Sequence, residues 1–311
     1  MVIPSESQAP ASPMAVADVG EVILKTVGLK RWYGRHPAVD GIDLEVREGE
    51  IYGFLGINGA GKTTTIRILM GIIAAEAGTF TLFGESTRRT GIHLKRQIGY
   101  VSQDQNFYPW MTCEQLGKFV GSFYPTWDAT EFMRLLELFE IPRSRRVSQL
   151  SGGMKAKLAL ALAIAPKPRL LILDEPTAGL DPVARRDFLE LIVSQARSSR
   201  RTTFFSSHLI DEVERCADRI GIIHAGRMKF EGALAQLRDE VRRVRCSGDQ
   251  GQLPSPFQLW SERRIGGEVL RVYRAPASAW DDSQLPEAAE SERLALEDIF
   301  LACVGSRSLG W

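Results

Sequence analysis

The chain has 311 residues, and its 39 Lys and Arg against 38 Asp and Glu leave a formal net charge of +1. Hydrophobic residues make up 44% and charged residues 25% of the sequence, which excludes disordered, collagen-like and disulfide-scaffold proteins. The length exceeds what one hydrophobic core usually organises, so about two domains are predicted. The near-zero net charge disfavours a protein that binds nucleic acid through bulk charge.

The N-terminal segment Met1–Ala17 carries no Lys or Arg. It therefore lacks the charged part of a secretory signal peptide, and a flexible leader is predicted over residues 1–20. The four cysteines show neither CxxC nor Cys/His spacing, which favours reduced thiols in the cytosol over zinc ligands or disulfides. The longest apolar run, Leu158–Ala165, is far shorter than the roughly 20 residues that cross a bilayer. We expect a cytoplasmic protein.

Apolar, β-branched segments alternate with segments of helical period from residue 21 to residue 235. This alternation predicts an α/β core with a mixed or parallel sheet. Leu170–Leu173 is apolar at every position, as in a strand that is covered on both faces. Strand signals fade over about 104–168, where a helical subdomain is predicted. Its expected helices are Thr112–Tyr124, Asp128–Phe139 and Gly153–Ala165.

The pattern changes near the C-terminus, and residues 236–311 are predicted to form a small α+β accessory region. A helix is expected over Ala233–Arg245, a short strand near Val269–Tyr273 and a final helix over Glu290–Cys303. The first of these helices is rich in arginine. Its basic face could meet lipid headgroups or an acidic partner, or it could simply be solvated.

A glycine-rich motif links the apolar strand Ile51–Leu55 to a segment of helical period. Its sequence fits GxxxxGK[ST], and its place between strand and helix disfavours a chance glycine turn. Backbone amides in such a loop wrap a polyphosphate, Lys62 reaches the terminal phosphates and Thr63 can ligate Mg²⁺. The candidate nucleotide-binding residues of this loop are Gly56, Asn58, Gly59, Ala60, Gly61, Lys62, Thr63 and Thr64.

Two carboxylates, Asp174 and Glu175, follow the apolar strand Leu170–Leu173 directly. Open α/β sheets bind ligands at the carboxyl ends of their strands, so this pair is predicted to face the phosphates. Asp174 suits a Mg²⁺ holder and Glu175 a general base that polarises the attacking water. An acidic helix cap is the alternative interpretation.

The segment Leu150–Met154 reads Leu-Ser-Gly-Gly-Met and precedes the Asp174–Glu175 pair. With it, residues 22–232 resemble the ATP-binding cassette (ABC) family, whose fold is a P-loop NTPase core with an inserted helical subdomain. The resemblance implies that Ser151, Gly152 and Gly153 act on the ATP of a partner cassette. It also implies that Tyr33, or the adjacent Trp32, stacks on the adenine ring and that Gln103 touches Mg²⁺ and the attacking water. Asp181 would lie in a loop that crosses to the partner subunit, and His208 would bind the γ-phosphate.

The same resemblance implies an ATPase that uses ATP and Mg²⁺, pairs with a second ABC ATPase subunit and drives a separate transmembrane permease. Such a subunit lies on the inner face of the membrane through its permease, and no nucleic acid partner is expected. Three features are similar to those of bacterial exporters with ABC-2-type permeases: the segment Phe123–Trp127, the Asp181-Pro182 pair and the segment Leu296–Phe300. The expected docking surface for the permease is near Gln103–Trp110, where Phe107, Tyr108 and Trp110 either contact it or pack inside the helical subdomain.

Two alternatives come from other classes of protein. A soluble cassette acting on the ribosome or on nucleic acid usually carries a second module, a long coiled coil or zinc cysteines, and none of these is visible in the sequence. A regulatory cassette that binds ATP without hydrolysis usually lacks the catalytic Glu, the His or the signature Ser. Glu175, His208 and Ser151 are all present. Met154 departs from the Gln that the family most often has, and Ala178-Gly179 departs from its Ser-Ala.

Overall fold

The computed structural model describes residues 20–247, 251–265, 268–280 and 289–305, so the predicted leader lies almost entirely outside it. The strands are β1 (Val22–Tyr33), β2 (His36–Arg47), β3 (Ile51–Leu55), β4 (Ala77–Leu82), β5 (Glu85–Thr87), β6 (Ile98–Val101), β7 (Leu170–Asp174), β8 (Thr202–Ser207), β9 (Arg219–His224), β10 (Arg227–Ala233), β11 (Val241–Ser247), β12 (Gln258–Ile265), β13 (Glu268–Arg274) and β14 (Ala289–Arg293). The helices are α1 (Lys62–Leu69), α2 (Ile92–Lys95), α3 (Cys113–Gly121), α4 (Ala129–Leu138), α5 (Gly152–Ile164), α6 (Pro182–Ser199), α7 (Ile210–Cys216), α8 (Leu234–Glu240) and α9 (Leu296–Val304).

The central sheet has the spatial order β10-β9-β3-β8-β7-β6. Five of these strands run parallel, and β10 returns antiparallel to β9. Every residue of β3, β7 and β8 is buried, because helices on one face and a second sheet on the other cover these apolar strands. The sequence therefore identified the central strands correctly, and their carboxyl ends lie side by side.

The second sheet is antiparallel, with the order β2-β1-β4-β5. Leu24 and Phe80 from this sheet share one buried apolar cluster with Phe54 and Phe204 from the central sheet. The long hairpin of β1 and β2 ends at Tyr33 and His36. Packing of the two sheets therefore fixes where this hairpin tip lies relative to the end of β3.

The helices α3, α4 and α5 form the inserted helical layer, and each begins at a side-chain cap. Thr112 and Gln115 form a capping box on α3, Asp128 accepts from the backbone of Glu131 on α4, and Ser151 caps α5. Each cap satisfies amides that the first helical turn leaves without partners. These caps explain why the helices begin close to the predicted positions.

The C-terminal strands form a third, antiparallel sheet with the order β12-β13-β11-β14. The helix predicted over Ala233–Arg245 is wrong in its second half, since α8 ends at Glu240 and β11 follows. Val241 packs into the main core and Val244 into a separate cluster with Tyr273 and Trp280. A strand sends these two valines to opposite faces of its sheet, whereas a helix would place them on one face. The final helix begins at Leu296, after β14, and not at Glu290.

Candidate active site

The loop between β3 and α1 wraps the N-terminus of α1. Gly61 has φ of 112°, and a Cβ there would lie 2.3 Å from the carbonyl oxygen of Ala38, so the tight approach requires glycine. Lys62 is 3% exposed, and its Nζ donates to the carbonyl oxygens of Gly56 at 2.6 Å and Ile57 at 3.2 Å. The loop thus places a cation and helix N-terminal amides at the end of β3, an arrangement suited to phosphate.

Asp174 is the last residue of β7 and is 1% exposed. Its Oδ1 accepts from Thr63 Oγ1 at 3.1 Å and from Ser206 Oγ at 2.9 Å. Burial raises the pKa of Asp174, and the two hydroxyl donors oppose that rise. The carboxylate is therefore held by the hydroxyl groups of Thr63 on α1 and Ser206 on β8 rather than by a basic side chain.

Glu175 follows β7 with φ of 45°, a left-handed conformation that is uncommon for a residue other than glycine. Its backbone N–H donates to Ser206 Oγ at 3.0 Å. One carboxylate oxygen pairs with Lys62 Nζ at 2.9 Å, and the other lies 3.1 Å from Nδ1 of His208. Strain of this kind persists where surrounding contacts over-determine it, and such sites are often functional.

A cavity of about 540 Å³ opens above these groups. It is lined by residues from the hairpin tip, the glycine-rich loop, Gln103, the segment after β7 and the segment after β8; they are Tyr33, His36, Ala38, Asn58, Gly59, Gly61, Lys62, Thr63, Thr64, Gln103, Glu175, Thr177, Ala178, Gly179, Arg185, Ser207, His208 and Leu209. Of the two adjacent aromatic candidates, Tyr33 lines the cavity and Trp32 does not. Tyr33 is 47% exposed, and the Arg31 guanidinium lies 5.3 Å from the centroid of its ring.

The remaining predicted residues lie elsewhere. Gly56 and Ala60 belong to the glycine-rich loop and Asp174 contacts Thr63, but these three residues do not line the cavity. Ser151, Gly152 and Gly153 stand at the N-terminus of α5 and do not line the cavity of their own chain. Ser151 is exposed, and its Oγ accepts from the Met154 N–H at 3.2 Å. Asp181 caps α6 by accepting from the N–H groups of Val183 and Ala184, each at 3.0 Å.

Sequence reasoning missed the hydroxyl groups that end β8. Ser206 and Ser207 are buried, and the parallel register places Ser206 beside Asp174. Two serines at the carboxyl end of an otherwise apolar strand, directly before His208, are the signal that could have identified them. Thr177 and Arg185, which line the cavity, and Glu212, which lies outside it and contacts both of them, had no comparable signal.

Several known proteins are similar to this chain. The family model described as ABC transporter matches residues 39–178. The bacitracin transport ATP-binding protein BcrA of Bacillus licheniformis is 37% identical over 223 residues, which cover 71% of this chain and 73% of that protein. The Nod factor export ATP-binding protein I of Paraburkholderia xenovorans is 36% identical over 297 residues, 89% of this chain and 95% of that protein.

Solved structures are similar over the cassette part of the chain. An ATP-binding subunit of an ABC transporter aligns with a TM-score of 0.62 at 28% identity, covering 70% of this chain and 92% of that one. The protein cbiO1 from Clostridium perfringens, described as part of the ABC transporter complex cbiONQ, aligns with a TM-score of 0.61 at 27% identity, covering 68% and 88%.

The fold and the pocket define a P-loop nucleoside triphosphatase with an inserted helical subdomain. With the relatives above, the chain belongs to the ABC transporter family of ATP-binding proteins. It is the ATP-hydrolysing subunit of an ABC transporter, and its relatives favour this function over the soluble ribosomal or nucleic-acid alternative. Across the described ranges, no helix is both long and apolar enough to cross a membrane.

Proposed function

We propose that this chain powers export through a separate membrane permease, and that it does so by closing on a second ABC ATPase subunit around ATP. The position of the signature segment carries this proposal. Ser151 and Gly153 lie at an exposed helix N-terminus outside their own cavity, and a Cβ at Gly152 would meet nothing within 4 Å. A helix N-terminus with an exposed hydroxyl and open backbone suits a phosphate that another subunit brings.

The chemistry of the pocket supports in-line attack of water on the terminal phosphate. Lys62 is paired with Glu175 at 2.9 Å, so anionic phosphate oxygens compete with Glu175 for the lysine. Once released from Lys62, the Glu175 carboxylate is a free acceptor for the proton of an attacking water. His208, whose Nδ1 lies 3.1 Å from Glu175, can donate its N–H to that carboxylate or, in its place, to an oxygen of the γ-phosphate. Tyr33 at the hairpin tip supplies a surface for the adenine ring.

The donors present also fit Mg²⁺. Thr63 and Asp174 share a hydrogen bond at 3.1 Å, and Gln103 lines the same cavity. Hydroxyl, carboxylate and amide oxygens are ligands that Mg²⁺ prefers, and this ion usually takes few protein ligands together with substrate phosphates. Within the part of the chain that the structure describes, no cluster of three His, Cys, Asp or Glu could hold a metal by itself. Bound Mg²⁺ would neutralise charge on the phosphates.

The proposed permease surface adjoins the pocket through one loop. Gln103 lines the nucleotide cavity, while Gln105 and Phe107 line a second groove of about 540 Å³ between β6 and the helices α3 and α5. Phe107 packs against the core, whereas Tyr108 and Trp110 are 43% and 64% exposed. An exposed aromatic patch next to a groove is typical of a protein interface. We expect this loop to transmit loss of the γ-phosphate near Gln103 to the permease.

The relatives support export as the direction of transport. The names of the proteins from Bacillus licheniformis and Paraburkholderia xenovorans give bacitracin transport and Nod factor export. We therefore propose a cassette that sits on the cytoplasmic face of the membrane through its permease. Because the cassette does not itself touch cargo, its residues do not specify the transported molecule.

The test is Glu175→Gln, which removes the proposed base while keeping the shape of the side chain. Hydrolysis should fall about 10²- to 10⁴-fold, and the Mg²⁺–ATP complex should trap a dimer that ADP does not. Glu190→Gln, an exposed residue paired with Arg186 on α6, is the matched control and should hydrolyse at the wild-type rate.

The trapped protein is then purified from nuclease-treated, detergent-solubilised membranes. A stoichiometric polytopic membrane protein should co-purify with it. Hydrolysis by Glu175→Gln at the wild-type rate would refute the assigned base. A trapped protein that stays monomeric, or that carries ribosomal proteins instead of a membrane protein, would refute the transporter assembly.

A further inference from the structure

A buried carboxylate lies behind the active site and outside its cavity. Glu212, in the first turn of α7, is 2% exposed. Its Oε1 accepts from Thr177 Oγ1 at 2.6 Å, and its Oε2 accepts from Ser207 Oγ at 2.6 Å. Both donors are themselves buried, at 4% and 2% exposure. The two oxygens of one side chain thus join the loop after β7 to the end of β8, where the loop that carries His208 begins.

These two loops carry the groups that meet at the reaction centre. Thr177 lies two residues after Glu175, and Ser207 directly precedes His208. The side chains of Glu175 and His208 approach each other to 3.1 Å. The carbonyl oxygen of Ser207 also accepts from the N–H of Gly56 at 3.2 Å, which links the same loop to the start of the glycine-rich motif. A shift of either loop would change the separation of the proposed base and the histidine.

Burial of a carboxylate is costly unless hydrogen bonds and opposite charge compensate it. Here two short O–H···O⁻ bonds, of the length expected for charge-assisted pairs, satisfy Glu212. The Arg185 Nε lies 3.6 Å from Oε1 and supplies positive charge from the first turn of α6. A carboxylate suits this place because it accepts from two hydroxyls at once and donates to neither.

We propose that Glu212 is a positioning residue for ATP hydrolysis, which holds the Glu175 and His208 loops at their working separation. This inference rests on the ATPase activity of the site. Glu212 does not line the nucleotide cavity, so it acts on the catalytic step and leaves nucleotide binding intact. A misplacement of about 1 Å in such a site can cost about 10²-fold in rate.

The test compares Glu212→Gln with Glu214→Gln, an exposed glutamate on the same helix that pairs with Arg238. In the full-length protein, Glu212→Gln should lower kcat about tenfold or more, while KM and the affinity for a fluorescent ATP analogue stay within about twofold of wild type. Glu214→Gln should match wild type in both. A variant with unchanged kcat, or with affinity lost in step with kcat, overturns the inference.

A second variant separates positioning from simple loss of stability. Thr177→Val removes one of the two bonds while keeping the shape of the side chain, and it should also lower kcat. Because both changes break one linkage, the double variant should cost less than the product of the single effects. Independent, multiplying effects contradict the inference. If the wild-type protein does not hydrolyse ATP, the proposed function is refuted. If the wild-type protein is active, Glu175→Gln is inactive and Glu212→Gln hydrolyses ATP normally, only the inference about Glu212 is refuted.

Discussion

Replacement of Ser206 by alanine should weaken both the fold and the site, although Ser206 contacts neither solvent nor the cavity. The side chain is fully buried, and its single oxygen makes two bonds at once. It donates to Asp174 Oδ1 at 2.9 Å and accepts from the backbone N–H of Glu175 at 3.0 Å. Alanine keeps the Cβ, so the change removes little apolar contact and isolates the polar contribution.

The magnitude follows from these two bonds. A hydrogen bond to a charged group contributes about 1.5–3 kcal/mol, and a buried N–H without a partner costs about 1–3 kcal/mol. The two effects share one oxygen and do not add fully, so the free energy of unfolding of Ser206→Ala should fall by about 3 kcal/mol. The activity should fall as well, because Glu175 loses the contact that holds its left-handed backbone.

The pH dependence gives an independent check. Burial already raises the pKa of Asp174, and the Ser206 hydroxyl lowers it, so the alanine variant raises the pKa of Asp174 further. A raised folded-state pKa makes the charged form costly, and this cost disappears as the pH falls below that pKa. The difference in unfolding free energy between variant and wild type should therefore be smaller at a pH below the pKa of Asp174 in both proteins than at neutral pH.

The assay is urea unfolding followed by circular dichroism, with Thr203→Val as the matched control. Thr203 lies on the same strand and is fully buried, and its Oγ1 has no hydrogen-bond partner among the described residues. Loss of that hydroxyl should be neutral or stabilising by up to about 1 kcal/mol. If Ser206→Ala is no less stable than Thr203→Val, or if its loss is the same at both pH values, the reasoning is refuted.

Two further predictions concern the residue before β3 and the tip of the β1–β2 hairpin. Burial raises the pKa of Glu50 from 4.5 to about 7, although the charge of Arg219 and the hydrogen bond from the Arg47 N–H oppose this rise. The stability of the wild-type protein should therefore fall as the pH rises from about 4.5 to about 7. Glu50→Gln keeps an acceptor for the Arg47 N–H, and its free energy of unfolding in urea should exceed that of wild type by up to about 3 kcal/mol at about pH 8. A variant that is less stable than wild type at this pH would contradict the prediction. Tyr33→Ala should weaken binding of a fluorescent ATP analogue about tenfold by loss of stacking, whereas Trp32→Ala should change it little, and the reverse order would assign the stacking to Trp32.

The central fold could be predicted because its sequence signals are local and agree with each other. Apolar runs such as Leu170–Leu173 mark strands that are covered on both faces, and strand-forming patterns alternate with helical ones. Parallel strands bring their carboxyl ends to one edge of the sheet. Lys62, Glu175 and His208 consequently lie around one cavity, although more than 140 residues separate the first from the last. In this part of the chain, local pattern and sheet topology carry the same information.

The C-terminal sheet could not be predicted in the same way, because its strands are defined by distant partners. Val241 to Ser247 contains three arginines, and its two valines have the spacing of a helix face. Only pairing with β13 and β14 makes it a strand, since those neighbours place Val241 and Val244 against different clusters. A local window contains neither neighbour, so tertiary context overrides the helical pattern.

Glu212 shows the same limit at the active site. In the sequence it is an acidic residue in the first turn of a helix, where carboxylates commonly lie in solvent and favour the helix dipole. In the fold, the parallel strands β7 and β8 place Thr177 and Ser207 against Glu212, although these residues lie 35 and 5 positions before it in the sequence. The glycine-rich loop is visible in sequence because its own backbone makes the site. The Thr177–Glu212–Ser207 linkage is made by side chains from the loop after β7, from β8 and from α7. It therefore exists only once the sheet has formed.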